Sequence, residues 1–246
     1  MTLPERGRSP DTLAGKVGRQ QIILVRTGMG PQNARSCAAV VFGNGAVQVG
    51  AGNGHGAAWP EPSAALVFGL AGSLSASVRE SDLVLYEGCL STDGQAPVRC
   101  SPFLTGGLAR MLNEGGASCR YVMGVSSSRV ASRRIDKRNL AGSGAEAVDM
   151  ESYEIVAEAG RRGVPAVVLR AISDSFERDM PDFNRALNSD GEFDGLVLAK
   201  VCAARPLASA ALAATSWRAL RRINKAFDII FRHGFPDARG MAQPPV

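Results

Sequence analysis

The stretch Ala147–Asp174 reads AVDMESYEIVAEAGRRGVPAVVLRAISD. Asp149 and Glu151 flank Met150, and an amphipathic helix is predicted over 152–162. Gly163 suits the residue just past its end. Pro165 opens a predicted strand, 166–171, at a position where a missing N–H is tolerated. The strand runs into Arg170-Ala-Ile-Ser173-Asp174. One pair of acids therefore stands at a helix start and another acid at the carboxyl end of a strand. In open α/β sheets both places border the ligand crevice.

Outward from this segment, strands and helices alternate. Gln21–Arg26 is a β-rich run that breaks at Thr27-Gly28-Met29-Gly30. A helix follows from Pro31, with Ala34, Ala38 and Val41 on one face. Further strands are predicted at 46–49, 64–68, 82–86 and 120–125, and a helix at 103–113. Residues 126–138 read as a Ser- and Arg-rich loop, and 1–19 as a ragged or disordered start. From Phe193 the pattern is helical, interrupted at Pro206. The expected class is α/β: a single-domain, three-layer α/β/α arrangement on a central mixed sheet.

Composition narrows the function classes. At 246 residues and 45% hydrophobic, the chain can bury one sizeable core. The net charge of +5 is mild and aromatics are 6%, which argues against a nucleic-acid binder. Five widely spaced cysteines without a CxxC pair, and two distant histidines, give no support for a metal or redox site. No cofactor is implied. Reduced thiols and an N-terminus with Pro4, Glu5 and Arg6 in place of an apolar signal core fit a cytoplasmic protein. No apolar run approaches the roughly 20 residues that span a bilayer.

Three sheet-end features bear on chemistry. Glycines at Thr27–Gly30 allow a ligand to approach the backbone, but a tight turn explains them equally. The Phe68-Gly-Leu-Ala-Gly-Ser73 run leaves room for a flat ring, or for close packing of a helix. Capping accounts for one of Asp149 and Glu151. Asp174 taken alone is a turn aspartate or the cap of a following helix.

Together, Thr27-Gly-Met-Gly30, Gly69-Leu-Ala-Gly72, Val148-Asp-Met-Glu151 and Arg170-Ala-Ile-Ser-Asp174 resemble the purine nucleoside and uridine phosphorylase superfamily. Their order and spacing are similar to the methylthioadenosine/S-adenosylhomocysteine nucleosidase branch. The tail, with Met180-Pro181, Asp190-Gly191 and Arg205-Pro206, and the loop Ser128–Ser132 look more like the hopanoid-associated nucleosidases or phosphorylases. The resemblance implies a core over 20–192 and a helical C-terminal extension over 193–246 packed on it.

It also implies a purine nucleosidase acting on a 5′-substituted adenosine, with Asp174 as the acid that assists the leaving base. Glu151 would hold ribose hydroxyls and Met150 would pack beneath the sugar. Met29, Gly30, Ala71, Gly72, Val130 and Ser173 would complete the substrate site. Two departures qualify this. Where the phosphorylases place an Arg and a Ser to bind phosphate, the chain reads Val67 and Leu70, so water is the expected nucleophile. The N-terminal Glu that activates water in the nucleosidases has no counterpart, Glu5 lying in a polar context. A nucleoside binder without catalysis, or a phosphorylase, is the alternative.

The resemblance implies a homo-oligomer, such as a dimer. Residues 209–232 place Leu212, Trp217, Leu220, Ile223, Phe227 and Ile230 near one helical face. That face either packs on the domain or makes peripheral contact with an anionic membrane.

Overall fold

A computed structural model describes residues 11–17, 20–43, 47–49, 57–188 and 191–236. In chain order the strands are β1 (Asp11–Val17), β2 (Gln20–Arg26), β3 (Val47–Val49), β4 (Ala57–Trp59), β5 (Ala65–Ser73), β6 (Leu83–Ser91), β7 (Val98–Arg99), β8 (Cys119–Ser126), β9 (Ala147–Asp149) and β10 (Ala166–Asp174). The helices are α1 (Pro31–Gly43), α2 (Pro102–Glu114), α3 (Arg134–Ala141), α4 (Ser152–Arg161), α5 (Gly195–Ala204) and α6 (Pro206–His233).

The apolar run after Pro165 becomes β10, buried along its whole length. It pairs in parallel with β5 and antiparallel with β6. The central sheet runs β10-β5-β9-β8-β6-β7, and the additional β10–β6 pairing closes β10, β5, β9, β8 and β6 into a five-strand ring, with β7 attached to β6. The expected mixed α/β architecture is present, with the ring closure as an addition. Closure removes the open edges that an unpaired strand would expose.

Side-chain alternation sorts the ring into two packing faces. On β10, Val168 and Ile172 join Tyr153, Val156 and Ala159 of α4. Val167, Leu169 and Ala171 face Leu104, Leu108 and Leu112 of α2 and Ala219, Ile223 and Ile230 of α6. Each fully buried leucine here contributes roughly 1.5–3 kcal/mol relative to exposure. On β8, a Cβ on Gly124 would fall 2.0 Å from the Tyr86 ring, so the ring fits only against glycine.

Three expectations are revised. Asp11–Val17, assigned to a ragged start, forms an antiparallel hairpin with β2; the partner strand satisfies a backbone that carries no apolar pattern of its own. The other residues expected to be ragged lie outside the described residues. The loop expected over 126–138 contains the start of α3, whose polar sequence hides helical periodicity; Asp136 accepts from the Arg133 N–H and stabilises its first turn.

Helix α6 does pack on the domain, but through Thr215, Ala219, Ile223, Ala226, Ile229 and Ile230. Trp217 and Leu220, placed on the apolar face from sequence, are exposed. Small residues at 219 and 226 allow close approach to the sheet, and this selects the face. Among the described residues no single helix is long and apolar enough to cross a membrane.

Candidate active site

Segments far apart in sequence meet at one end of the ring. Short strand β9 pairs with β5 and β8, setting Asp149 opposite Ser126. Asp149 Oδ1 accepts from Ser126 Oγ at 2.6 Å and from the N–H groups of Glu151 and Ser152 at 3.0 Å each. It thus caps the entry to α4. Its Oδ2 lies 3.2 Å from Arg170 Nε, an ionic contact rather than a hydrogen bond. Burial works to raise the Asp149 carboxyl, but Arg170 and the Ser126 and Ser152 hydroxyls hold it below the ordinary carboxylate value.

Glu151 is turned the other way, toward the Thr27–Gly30 turn. Its Oε1 accepts from the Gly30 N–H at 3.1 Å, and its Oε2 lies 3.4 Å from Arg170 Nη2. Gly28 and Gly30 have φ of 75° and 92°, conformations that favour glycine. The turn therefore serves the site through Glu151, since Gly30 commits its amide there. Burial raises the Glu151 carboxyl above its usual value; Arg170 opposes this and Asp149 reinforces it.

Arg170 sits in mid-strand and is buried between the two acids. Its Nη2 also donates to Ser152 Oγ at 2.9 Å. Flanking carboxylates raise its already high pKa despite burial.

A bulge ends β10: Ile172 pairs with Ala71, then Asp174 with Gly72. The extra residue, Ser173, re-aims Asp174 into the cavity. Ser173 Oγ lies 2.7 Å from Asp174 Oδ1 and 3.2 Å from the Ala71 carbonyl, so its one proton is shared between them. A Cβ on Gly72 would come 3.0 Å from Asp174 Oδ2, which accounts for the small residue there. Asp174 Oδ2 is also 2.5 Å from Lys137 Nζ of α3.

A cavity of about 1550 Å³ joins these groups. Of the residues expected in the site, Met29, Ala71, Gly72, Val130, Met150, Glu151, Ser173 and Asp174 line it. Gly30 is not in the lining and stands behind Glu151. Val130 contributes wall rather than main-chain groups, because Asn184 clamps both its N–H (2.8 Å) and its carbonyl (2.9 Å). Away from the acids, the wall becomes apolar: Leu66, Phe68, Leu212, Phe227 and Phe231. The Phe68 and Phe227 rings meet edge to face at 4.6 Å.

Four described carboxylates line the cavity: Glu61, Asp149, Glu151 and Asp174. Asp149 is committed to its cap, and Glu61 is exposed. Val67 is buried in the core and Leu70 faces the cavity, so that strand brings no cation to an anion. Glu5 lies outside the described residues. Among the described residues no group of three His, Cys, Asp or Glu side chains is placed to hold a metal ion.

Sequence reading missed two residues. Arg170 carried a visible signal, a charge within an apolar strand. Lys137 carried none, lying in a polar helix among other basic residues.

The family model of the phosphorylase superfamily matches residues 2–204. Comparison with the curated proteins finds no match. Among solved structures, the chain is similar to futalosine hydrolase of Helicobacter pylori strain 26695, at 17% identity and a TM-score of 0.61, over 93% of this chain and 86% of that one. It is similar to an S-adenosylhomocysteine nucleosidase from Streptococcus pyogenes, in complex with 5-methylthiotubericidin, at 15% identity and a TM-score of 0.61, over 91% and 86%. The Campylobacter jejuni 5′-methylthioadenosine/S-adenosyl homocysteine nucleosidase gives 14% identity and a TM-score of 0.59, over 87% and 85%. At such identities the likeness is one of fold.

Proposed function

The chain belongs to the phosphorylase superfamily, and from that premise we propose that it is a nucleosidase, hydrolysing the N-glycosidic bond of a 5′-substituted adenosine. The observation that carries this reading is the convergence of Glu151 and Asp174 on one cavity from separate elements. Two acids held apart by different surroundings suit two tasks.

Cleaving a purine–ribose bond leaves positive charge on the sugar and an electron pair on the base. Asp174, aimed by the bulge, assists protonation of the base at N7, so the C1′–N9 electron pair departs onto a neutral purine. Glu151 accepts from the ribose hydroxyls, and its charge favours the cationic sugar. Met150 supplies an apolar wall beneath the ribose. Water then adds to C1′; the replacement of phosphate-binding groups by Val67 and Leu70 favours water over phosphate. The apolar end of the cavity supports a bulky 5′ substituent.

The test is adenine release by the purified full chain from adenosines with methylthio, homocysteinyl and long alkylthio groups at the 5′ position. Adenine is expected without phosphate, fastest for a large apolar substituent. No adenine from any substrate would sink the reading; strictly phosphate-dependent release would reassign it to phosphorolysis.

The pH dependence of binding has a definite sign. Ribose hydroxyls need Glu151 as a carboxylate, and its folded pKa lies above the ordinary 4.5. Nucleoside affinity is therefore expected to fall as pH decreases, with a midpoint above 4.5. Folding responds oppositely: a raised carboxyl contributes stability at low pH and loses it as pH rises through the folded pKa. Calorimetric titration checks this, and in Glu151→Gln the midpoint should vanish along with most of the affinity.

A further inference from the structure

Lys137 is the most buried charge in the described molecule that the reaction above leaves without a task. Its side chain is 0% exposed, and it stands outside the cavity lining, directly behind Asp174. Its Nζ is 2.5 Å from Asp174 Oδ2, 2.5 Å from the Ser175 carbonyl and 3.4 Å from the Arg178 carbonyl. An ammonium has three protons, and these three acceptors take all of them. The two carbonyls lie on the segment leaving β10, so α3 and the strand end are tied together at a carboxylate that lines the cavity.

This arrangement raises a chemical question about Asp174. A carboxyl that delivers a proton must first receive one, and the charged donor in contact with Asp174 Oδ2 is the Lys137 ammonium. Lys137 Nζ reaches Asp174 Oδ2 from outside the cavity that Asp174 lines, so the carboxyl stands between the ammonium and the cavity. We propose that Lys137 is a positioning residue that acts through Asp174, fixing its carboxylate toward the base and supplying the proton that reaches N7. This rests on the nucleosidase reading above.

The step balances as follows. As the C1′–N9 bond breaks, its electron pair passes to the purine. A proton moves from Lys137 Nζ to Asp174 Oδ2, and the carboxyl so formed passes that proton on to N7, leaving a neutral amine beside a carboxylate. Water adds its oxygen to C1′, and the proton it loses restores the ammonium by way of solvent. Net, one nucleoside and one water give one free base and one free sugar. Lys suits this place because its ammonium can release a proton, which a guanidinium in the same place does not do.

The proposal has a signature that a purely structural lysine lacks. Protonation matters only when the leaving group is a poor one. In Lys137→Met, kcat for adenine release is expected to fall by about 100-fold or more, with KM changing far less. Hydrolysis of 4-nitrophenyl β-D-ribofuranoside, whose leaving group needs no proton, should fall much less. Because Lys137 acts through Asp174, the double variant Lys137→Met/Asp174→Asn should be no slower than Asp174→Asn alone.

Urea midpoints of all variants, measured in parallel, show that folded protein is compared in each case. Equal loss on both substrates, additive losses in the double variant, or a Lys137→Met rate within threefold of the wild type would each overturn the proposal. If the wild-type chain turns over nucleoside and Lys137→Met does so equally well, only the role of Lys137 fails. If the wild-type chain releases no base, the nucleosidase reading fails, and the role of Lys137 falls with it.

Discussion

Asp174→Asn is expected to slow release of the base by about 10³-fold, within the range found when a positioned acid is removed. The amide is nearly isosteric, so Ser173 and the bulge keep their places, but it cannot relay a proton from Lys137 to the base. KM should change little, because the proposed reaction assigns the ribose to Glu151, on another element. Steady-state adenine release measures both parameters. A variant that cleaves at wild-type rate would remove Asp174 from the reaction and leave the cavity as a nucleoside-binding site. The substitution also leaves the Lys137 ammonium buried without its anion, so a loss of several kcal/mol in stability accompanies it. Activity is therefore compared at a temperature where both proteins are folded by circular dichroism.

The second large effect is on stability. Arg170→Met removes the cation that Asp149 and Glu151 share, while keeping an apolar side chain of similar length in the strand. The buried Asp149 and half-buried Glu151 carboxylates are then left without the positive charge between them, at a cost of about 3–5 kcal/mol. Urea denaturation at neutral pH reads this as a lower midpoint.

The pH dependence identifies the cause. In the wild type Asp149 is depressed below its ordinary 3.8, so its contribution is present above that value and lost as pH falls through the folded pKa. In the variant the same carboxyl has lost its largest downward influence, and burial raises it. Its proton is then taken up more readily on folding, and the deficit relative to wild type should shrink as pH falls toward 4. A variant within 1 kcal/mol of wild type, or a deficit independent of pH, would show that Arg170 contributes packing alone. Adenine release should fall as well, because Glu151 loses the partner that fixes its orientation.

Much of the fold could be read without coordinates, and the reason is periodicity. β2, β5, β8, β10, α1, α2 and α4 each carry enough apolar residues at period 2 or 3.6 to mark themselves. Pro31, Pro102 and Pro206 then mark helix starts. β1 and α3 lacked that signal: each is polar enough that its partners, rather than its own pattern, bring it into register. On α6 the expected Ile223, Phe227 and Ile230 do pack on the sheet, whereas Trp217 and Leu220 are exposed and Ala219 and Ala226 complete the contact. Close helix–sheet approach selects small side chains, a requirement set by the neighbour.

The candidate site divides in the same way. The sequence by itself determined the cavity-facing pieces: Met150 and Glu151 at a helix entrance, Asp174 at a strand end and glycines at two turns. Each is a local arrangement, specified by residues next to one another in the chain. Tertiary structure alone decided which charges meet. Asp149 became a cap held by Ser126, Arg170 was placed between two acids, and Lys137 came to rest against Asp174 from 37 residues away. Electrostatic partners act through space over a few ångströms, and ring closure of the sheet sets those distances.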